Sequence, residues 1–142
     1  MKAVATFQGA LQGSQVHFSQ ADDSNVVYIK GDMVGLSHVH GMHIHEFGDM
    51  KNPGKHFNPF KKKHGGLRDP ESHAGDLGNI SGSFQIRTTK ISLRVTDANC
   101  VIGRCLVIHE SEDDLVTQPS GDSGHHHDLA VIGIKKDVAR HK

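Results

Sequence analysis

The sequence predicts an all-β protein, an antiparallel sandwich or barrel of eight short strands that carries two long loops. Apolar and polar residues alternate over short runs, glycine supplies 16 of the 142 residues, and no stretch keeps a helical period. Strands are read at KAVATFQG (2–9), SQVHFSQ (14–20), NVVYIKGD (25–32), HVHGMHIHEF (38–47), ISGSFQI (80–86), ISLRV (91–95), VIGRCLVIH (101–109) and LAVIGIKK (129–136). Gly13, Asp22-Asp23-Ser24-Asn25 and Gly35 mark the early turns. Residues 48–79 and 110–128 break the rhythm and are polar, the first rich in Gly, Pro, Asn, Asp and His. A loop of roughly thirty residues in a compact domain needs a function or something to order it. A bound metal would supply that order.

At 142 residues the chain reads as one domain, 1–142, large enough for its own core. Sixteen basic residues balance sixteen acidic ones, so no global field calls for nucleic acid or an anionic membrane. No apolar run approaches the roughly 20 residues of a spanning helix. The opening MKAVATFQG alternates where a signal peptide would run apolar, so a cytoplasmic protein is expected. The cysteines are Cys100 and Cys105. On one strand they would sit on opposite faces, roughly 17 Å apart at strand rise, beyond disulfide reach. Free thiols and no disulfide are expected, as in a reducing compartment.

The chemistry begins at GMHIHEFGD (41–49). Side chains alternate across a strand, so His43 and His45 share one face while Met42 and Ile44 share the other. The long loop adds His56 in GKHFNPF, His64 in KKHGG, and His73 with Asp76 in ESHAGDLGN; His109 closes VIGRCLVIH. Singly, each histidine reads as a solvated or hydrogen-bonded side chain. Together, six histidines and one aspartate on a glycine-punctuated loop and at strand ends point to metal. Lone cysteines exclude a Cys-rich zinc site; three imidazoles with a carboxylate suit tetrahedral zinc, and several imidazoles in tetragonal array suit oxidised copper. Seven ligands exceed what one ion needs, so two ions sharing a ligand is the economical arrangement.

GMHIHEFGD, KHFNP, HGG, HAGDLGN, GRCLVIHESEDDL and the final VIGI together resemble the copper,zinc superoxide dismutases over essentially the whole chain. The resemblance implies a Greek-key β-barrel with two long loops, copper and zinc as cofactors, and superoxide as substrate. It implies copper on His43, His45, His56 and His109, and zinc on His56, His64, His73 and Asp76, with His56 bridging as an imidazolate. Asp113 would hydrogen-bond His43 and His64. Copper would oxidise one superoxide to dioxygen and reduce the next to hydrogen peroxide. His56 would then be catalytic as well as a ligand, releasing copper on its reduction and carrying a proton. A homodimer packed near the last strand is also implied, with Val131, Ile132 and Ile134 as candidates.

The chain departs from the family in three places. The family ties its long loop to the last strand by a disulfide; here the loop is shortened and cysteine-free, and Leu129 stands before VIGI. Loss of a native disulfide costs about 2–5 kcal/mol, partly offset by the smaller entropy of a shorter loop, and copper loading without a chaperone is expected. A family arginine that guides superoxide is replaced, by gapless count, with His126, a second catalytic candidate. As a weaker cation helped by Lys55, it predicts a rate that falls from about pH 6 to 8. His125 to His127 facing solvent is the bland alternative. Third, ESEDDLVTQPS is acidic, so steering would be reduced, or partly supplied by Lys61, Lys62 and Lys63 unless these are an ordinary solvated loop. Two competing readings remain: a low-turnover homologue that buffers copper or acts as a decoy, and a zinc-stabilised structural sandwich in which the copper ligands are bystanders.

Overall fold

In the computed structural model residues 1–136 are described, and residues 137–142 of the expected domain lie outside them. The described residues form nine strands and no helix: β1 (Lys2–Thr6), β2 (Gln15–Gln20), β3 (Val27–Asp32), β4 (His40–His45), β5 (Asp76–Ile80), β6 (Phe84–Thr88), β7 (Cys105–His109), β8 (His126–Val131) and β9 (Gly133–Ile134). All pairings between strands are antiparallel. One sheet runs β6-β3-β2-β1-β9 and the other β5-β4-β7-β8. The sheets face each other as a Greek-key sandwich, as the sequence led us to expect.

Four sequence readings are corrected. Residues 80–86 are not one strand but the end of β5, a tight turn and the start of β6. ISGS therefore turns the chain, and the strand over Asp76–Ile80 lay inside what reads as loop. ISLRV (91–95) forms only an isolated parallel bridge, Ser92 to Cys100; its apolar residues Ile91 and Leu93 are buried from a loop. The run 101–109 is strand only from Cys105, so Cys100 lies outside β7. LAVIGIKK breaks at Ile132, which is fully buried where the chain passes from β8 to β9 in the other sheet.

Alternation fills the space between the sheets. β3 reads buried-exposed throughout, with Val27 and Ile29 inside and Tyr28 and Lys30 outside. Gly31 continues the inner row because a Cβ there would overlap the Phe84 ring. From the other side come Met42, Ile44, Leu106, Ile108 and Ala130. β4 and β7 are buried on both faces. Their outer face carries His43, His45 and His109 and is covered by the two long loops.

Candidate metal centre

The register puts the imidazoles together. His43 lies opposite Val107 and His45 opposite Cys105, so the same face of β7 ends, two residues beyond Val107, at His109. The loop after β4 folds back along it: Glu46 N–H donates to Lys55 O at 2.9 Å, Phe57 N–H to Ile44 O at 2.7 Å, and His45 bridges His56. This return delivers His56. Ile44 N–H then donates to Gly75 O at 2.9 Å, and a bulge between Gly41 and His43 leaves His43 opposite Asp76, the first residue of β5. Gly75 is required because a Cβ would overlap the Ile44 carbonyl.

Two groups of ligand atoms result, each mutually within 4.8 Å: His43, His45, His56, His109, and His43, His56, His64, Asp76. In the first, the nitrogens His43 Nδ1, His45 Nε2, His56 Nε2 and His109 Nε2 are buried without a hydrogen-bond partner. In three of these rings the other nitrogen is held by an acceptor that fixes the tautomer. His43 Nε2 donates to Asp113 Oδ2 at 2.7 Å, His45 Nδ1 to Gly54 O at 2.8 Å, and His109 Nδ1 to Gly124 O at 3.1 Å. Four bare lone pairs facing one another in the interior repel unless a cation lies among them. The pKa values of His43, His45 and His109 are each pushed down to about 3. Burial is the main cause and repulsion from neighbouring imidazoles adds to it, against the hydrogen bonds just named. The rings are therefore neutral at pH 7, as metal ligation requires.

The second group is completed by His73 rather than by His43, whose two nitrogens already face Asp113 and the first group. Asp76 Oδ1 lies 3.0 Å from His56 Nδ1, 3.0 Å from His64 Nδ1 and 3.3 Å from His73 Nδ1, and His56 Nδ1 lies 3.2 Å from His73 Nδ1. A tetrahedron of ligands about 2.0–2.1 Å from zinc has edges of about 3.3 Å. The donor set thus fits zinc in both chemistry and spacing. His64 Nδ1 is buried beside Asp76 Oδ1, where a bound cation would displace its proton. Burial opposes ionisation of Asp76, yet the neighbouring imidazoles of His56, His64 and His73 and the Gly65 N–H hold it well below the usual carboxylate range.

Asp113 sits between the groups, its Oδ2 on His43 and its Oδ1 accepting from His64 Nε2 at 2.8 Å. Burial alone would raise its pKa, but the two imidazoles and the Leu115 N–H hold it low, and the same carboxylates outweigh burial to raise His64 to about 9. Several residues that the sequence reading missed support this arrangement. Asn79 accepts from Asp113 N–H at 2.7 Å and donates to its carbonyl at 2.9 Å; Gln118 does the same for His64, at 2.8 and 2.9 Å. Asn79 lies within HAGDLGN, in a stretch that reads as loop, and neither it nor Gln118 carried a local signal. Arg104 donates to Glu46 O at 2.7 Å and Cys100 O at 2.8 Å and lies 3.9 Å over the Phe57 ring, pinning the returning loop.

A cleft of about 610 Å³ reaches His45, His56 and His109, and His126, Lys55, Lys62 and Lys63 line it while Lys61 does not. The His126 ring stands 5.2 Å from that of His45 and 5.3 Å from that of His109. Burial, then His125 and His56, lower its pKa. Lys62 Nζ is turned away to Pro70 O at 3.0 Å.

Comparison with known proteins agrees with this geometry. Residues 12–132 match the family model described as copper/zinc superoxide dismutase. The chain is 40% identical over 135 residues to Cu-Zn superoxide dismutase 5 of Dictyostelium discoideum, covering 87% of each chain. It is 37% identical over 139 residues to Cu-Zn superoxide dismutase 4 of the same organism, covering 87% of this chain and 92% of that one. Among solved structures it superposes on the crystal structure of the clock protein EA4 with a TM-score of 0.86 and 32% identity, over 94% of both chains. Two adjoining clusters of buried imidazoles, one of them completed by a carboxylate, are what such relatives would lead one to look for, and the chain belongs to the copper/zinc superoxide dismutase family.

Proposed function

We propose that this chain dismutes superoxide at the two clusters, with copper held by His43, His45, His56 and His109 and zinc by His56, His64, His73 and Asp76. The enzyme activity and both metals follow from family membership; the assignment by residue is supported chiefly by the four buried, bare nitrogens of the first group. Copper bound there supplies one-electron exchange with two superoxides in turn, and zinc supplies fixed positive charge beside it. His56 is the shared ligand, its Nδ1 toward Asp76 and its Nε2 toward the first group, so Nε2 is the atom that takes up and gives back a proton. Asp113 holds His43 and His64 in one orientation. Family membership weighs against both the buffer or decoy reading and the structural sandwich with zinc alone.

His126 lies near the copper ligands but is not a standing cation, given its lowered pKa. The fixed charge is supplied by Lys55 and Lys63 at the cleft wall, and His126 orients the anion. Val131 and Ile134 are 38% and 62% exposed and Met50 is 50% exposed; with Val4 and Gly133 beside them, they form the apolar face of a homodimer. Two free, buried cysteines support a cytoplasmic setting and copper loading without a chaperone that works on a disulfide. Stopped-flow decay of superoxide on the copper- and zinc-loaded chain tests the central reading, and no turnover would overturn it. Lys55→Gln with Lys63→Gln should slow decay several-fold and flatten its dependence on ionic strength, while His126→Arg should accelerate it. An unchanged rate in the lysine pair would remove them from the guide.

A further inference from the structure

Among the described residues, six buried side-chain nitrogens or oxygens have no hydrogen-bond partner, and five of them belong to the centre above. The sixth is His40 Nε2. His40 is 1% exposed and shares the strand face of Met42 and Ile44, opposite to His43 and His45. Its Nδ1 lies 2.7 Å from His109 O; a carbonyl only accepts, so Nδ1 carries the proton and Nε2 is a bare lone pair. His45 and His109 are prepared in the same way, Nδ1 donating to a backbone carbonyl and Nε2 left bare.

Two further imidazoles flank it. The His38 ring is 4.1 Å from that of His40 and the His127 ring 5.2 Å from it, within the 3.9 to 6.4 Å spanned by ring pairs of the copper group. His38 Nε2 lies 2.8 Å from Glu110 O, so it too is the protonated nitrogen, and the lone pair of Nδ1 accepts from the exposed Ser37 hydroxyl at 2.9 Å. That hydroxyl turns to water at little cost. His127 is at the partly exposed edge of β8. Among the described residues, no carboxylate pairs with any of the three rings.

We propose that His38, His40 and His127 form a third metal site, separate from the copper and zinc clusters, that takes one first-row transition ion on neutral imidazoles, for which zinc is a fitting probe. The three ligand atoms do not all fall within the 4.8 Å that bounds the other two groups. The ion is captured by rotation of the outer rings, His38 and His127, onto the fixed lone pair of His40. Binding there leaves superoxide turnover untouched, since none of the three reaches the cleft.

The test is equilibrium dialysis of protein already filled with copper and zinc against free Zn(II), with both metals counted by mass spectrometry. Wild type should hold one more zinc per chain, and His38→Ala and His127→Ala should each weaken that binding at least tenfold. Both are surface changes that leave the core intact, and unchanged turnover of the loaded variants verifies that they fold. His125→Ala, at the exposed neighbour, should keep the extra ion. No extra zinc in wild type, retention in both variants, or equal loss in His125→Ala would each overturn the site.

Discussion

Gly121 gives the sharpest test of how the two metals are coupled. Its φ is +77°, and a Cβ there would overlap Asp113 Oδ1 and lie 2.6 Å from His64 Nε2. Two effects follow from Gly121→Ala. The left-handed backbone costs a residue with a Cβ about 1–2 kcal/mol. The overlap also drives the Asp113 carboxylate off one or both imidazoles that it holds at 2.7 and 2.8 Å. Loss of such an outer partner lowers metal affinity about 10 to 100-fold, or about 1.4–2.7 kcal/mol. The loaded protein should therefore lose about 2.4–4.7 kcal/mol in all. Gly103→Ala separates the two effects: its φ is +84° and no heavy atom lies within 4 Å of where a Cβ would stand, so it should lose only the backbone part. Chelator competition for copper and for zinc, with calorimetric unfolding of the loaded forms, measures both. Metal affinities in Gly121→Ala within twofold of those in Gly103→Ala would refute the claim that Asp113 tunes the centre through His43 and His64.

Three other outcomes are expected. Cys105 is fully buried and its thiol is pushed up from 9.0 to about 11, chiefly by burial, so thiol reagents at neutral pH should label it only on unfolding. Because the folded pKa lies above the unfolded one, its contribution is complete below pH 9 and is lost as pH rises toward 11; it amounts to at most about 3 kcal/mol, and Cys105→Ala should flatten that alkaline limb in denaturant titrations. Arg104→Met keeps the stem over Phe57 but loses both carbonyl contacts; limited proteolysis should then cut within 47–55 at least several-fold faster, and an unchanged rate would show that the loop holds itself. Val131→Asp with Ile134→Asp should convert a dimer to monomer in sedimentation; a wild type that already sediments as monomer would remove the dimer proposal.

The residues of the two clusters were legible in the sequence because they are chemically conspicuous: His43-Ile-His45 has the strand period, and His56, His64, the HxxD pair His73 and Asp76, and the strand-end His109 supply the rest. The sandwich was legible from alternation in the first three strands, where Val27, Ile29 and Phe18 point inward and polar neighbours outward. What failed did so for physical reasons. Ile91 and Leu93 look like strand residues because they are buried, yet they reach the core from a loop. Asp76–Ile80 pairs with β4 as a short strand buried on both faces, so it lacks alternation. LAVIGIKK reads as one strand although its inward Ile132 is the pivot between sheets. Asn79, Gln118 and Arg104 act on backbone groups of distant segments, and no local pattern announces such long-range contacts.

The missing disulfide is where local chemistry and function meet. In the family the bridge ties the long loop to the strand before VIGI; here each end has its own anchor. Arg104 holds the loop end through the carbonyls of Glu46 and Cys100. Asp128, next to Leu129, accepts from Gly9 N–H at 3.1 Å and Leu11 N–H at 2.9 Å, and so ties β8 to the turn between β1 and β2. Hydrogen bonds to charged groups contribute about 1.5–3 kcal/mol each, so either anchor, with its two bonds, reaches the range of one disulfide. They differ from it in kind, because neither responds to redox potential. His45 and His56, at the two ends of the pinned loop, are therefore brought together by folding alone. The unfolding midpoint of the metal-free chain should be the same in reducing and oxidising buffer, and a lower midpoint in reducing buffer would show that a thiol pairing, not these anchors, holds the loop.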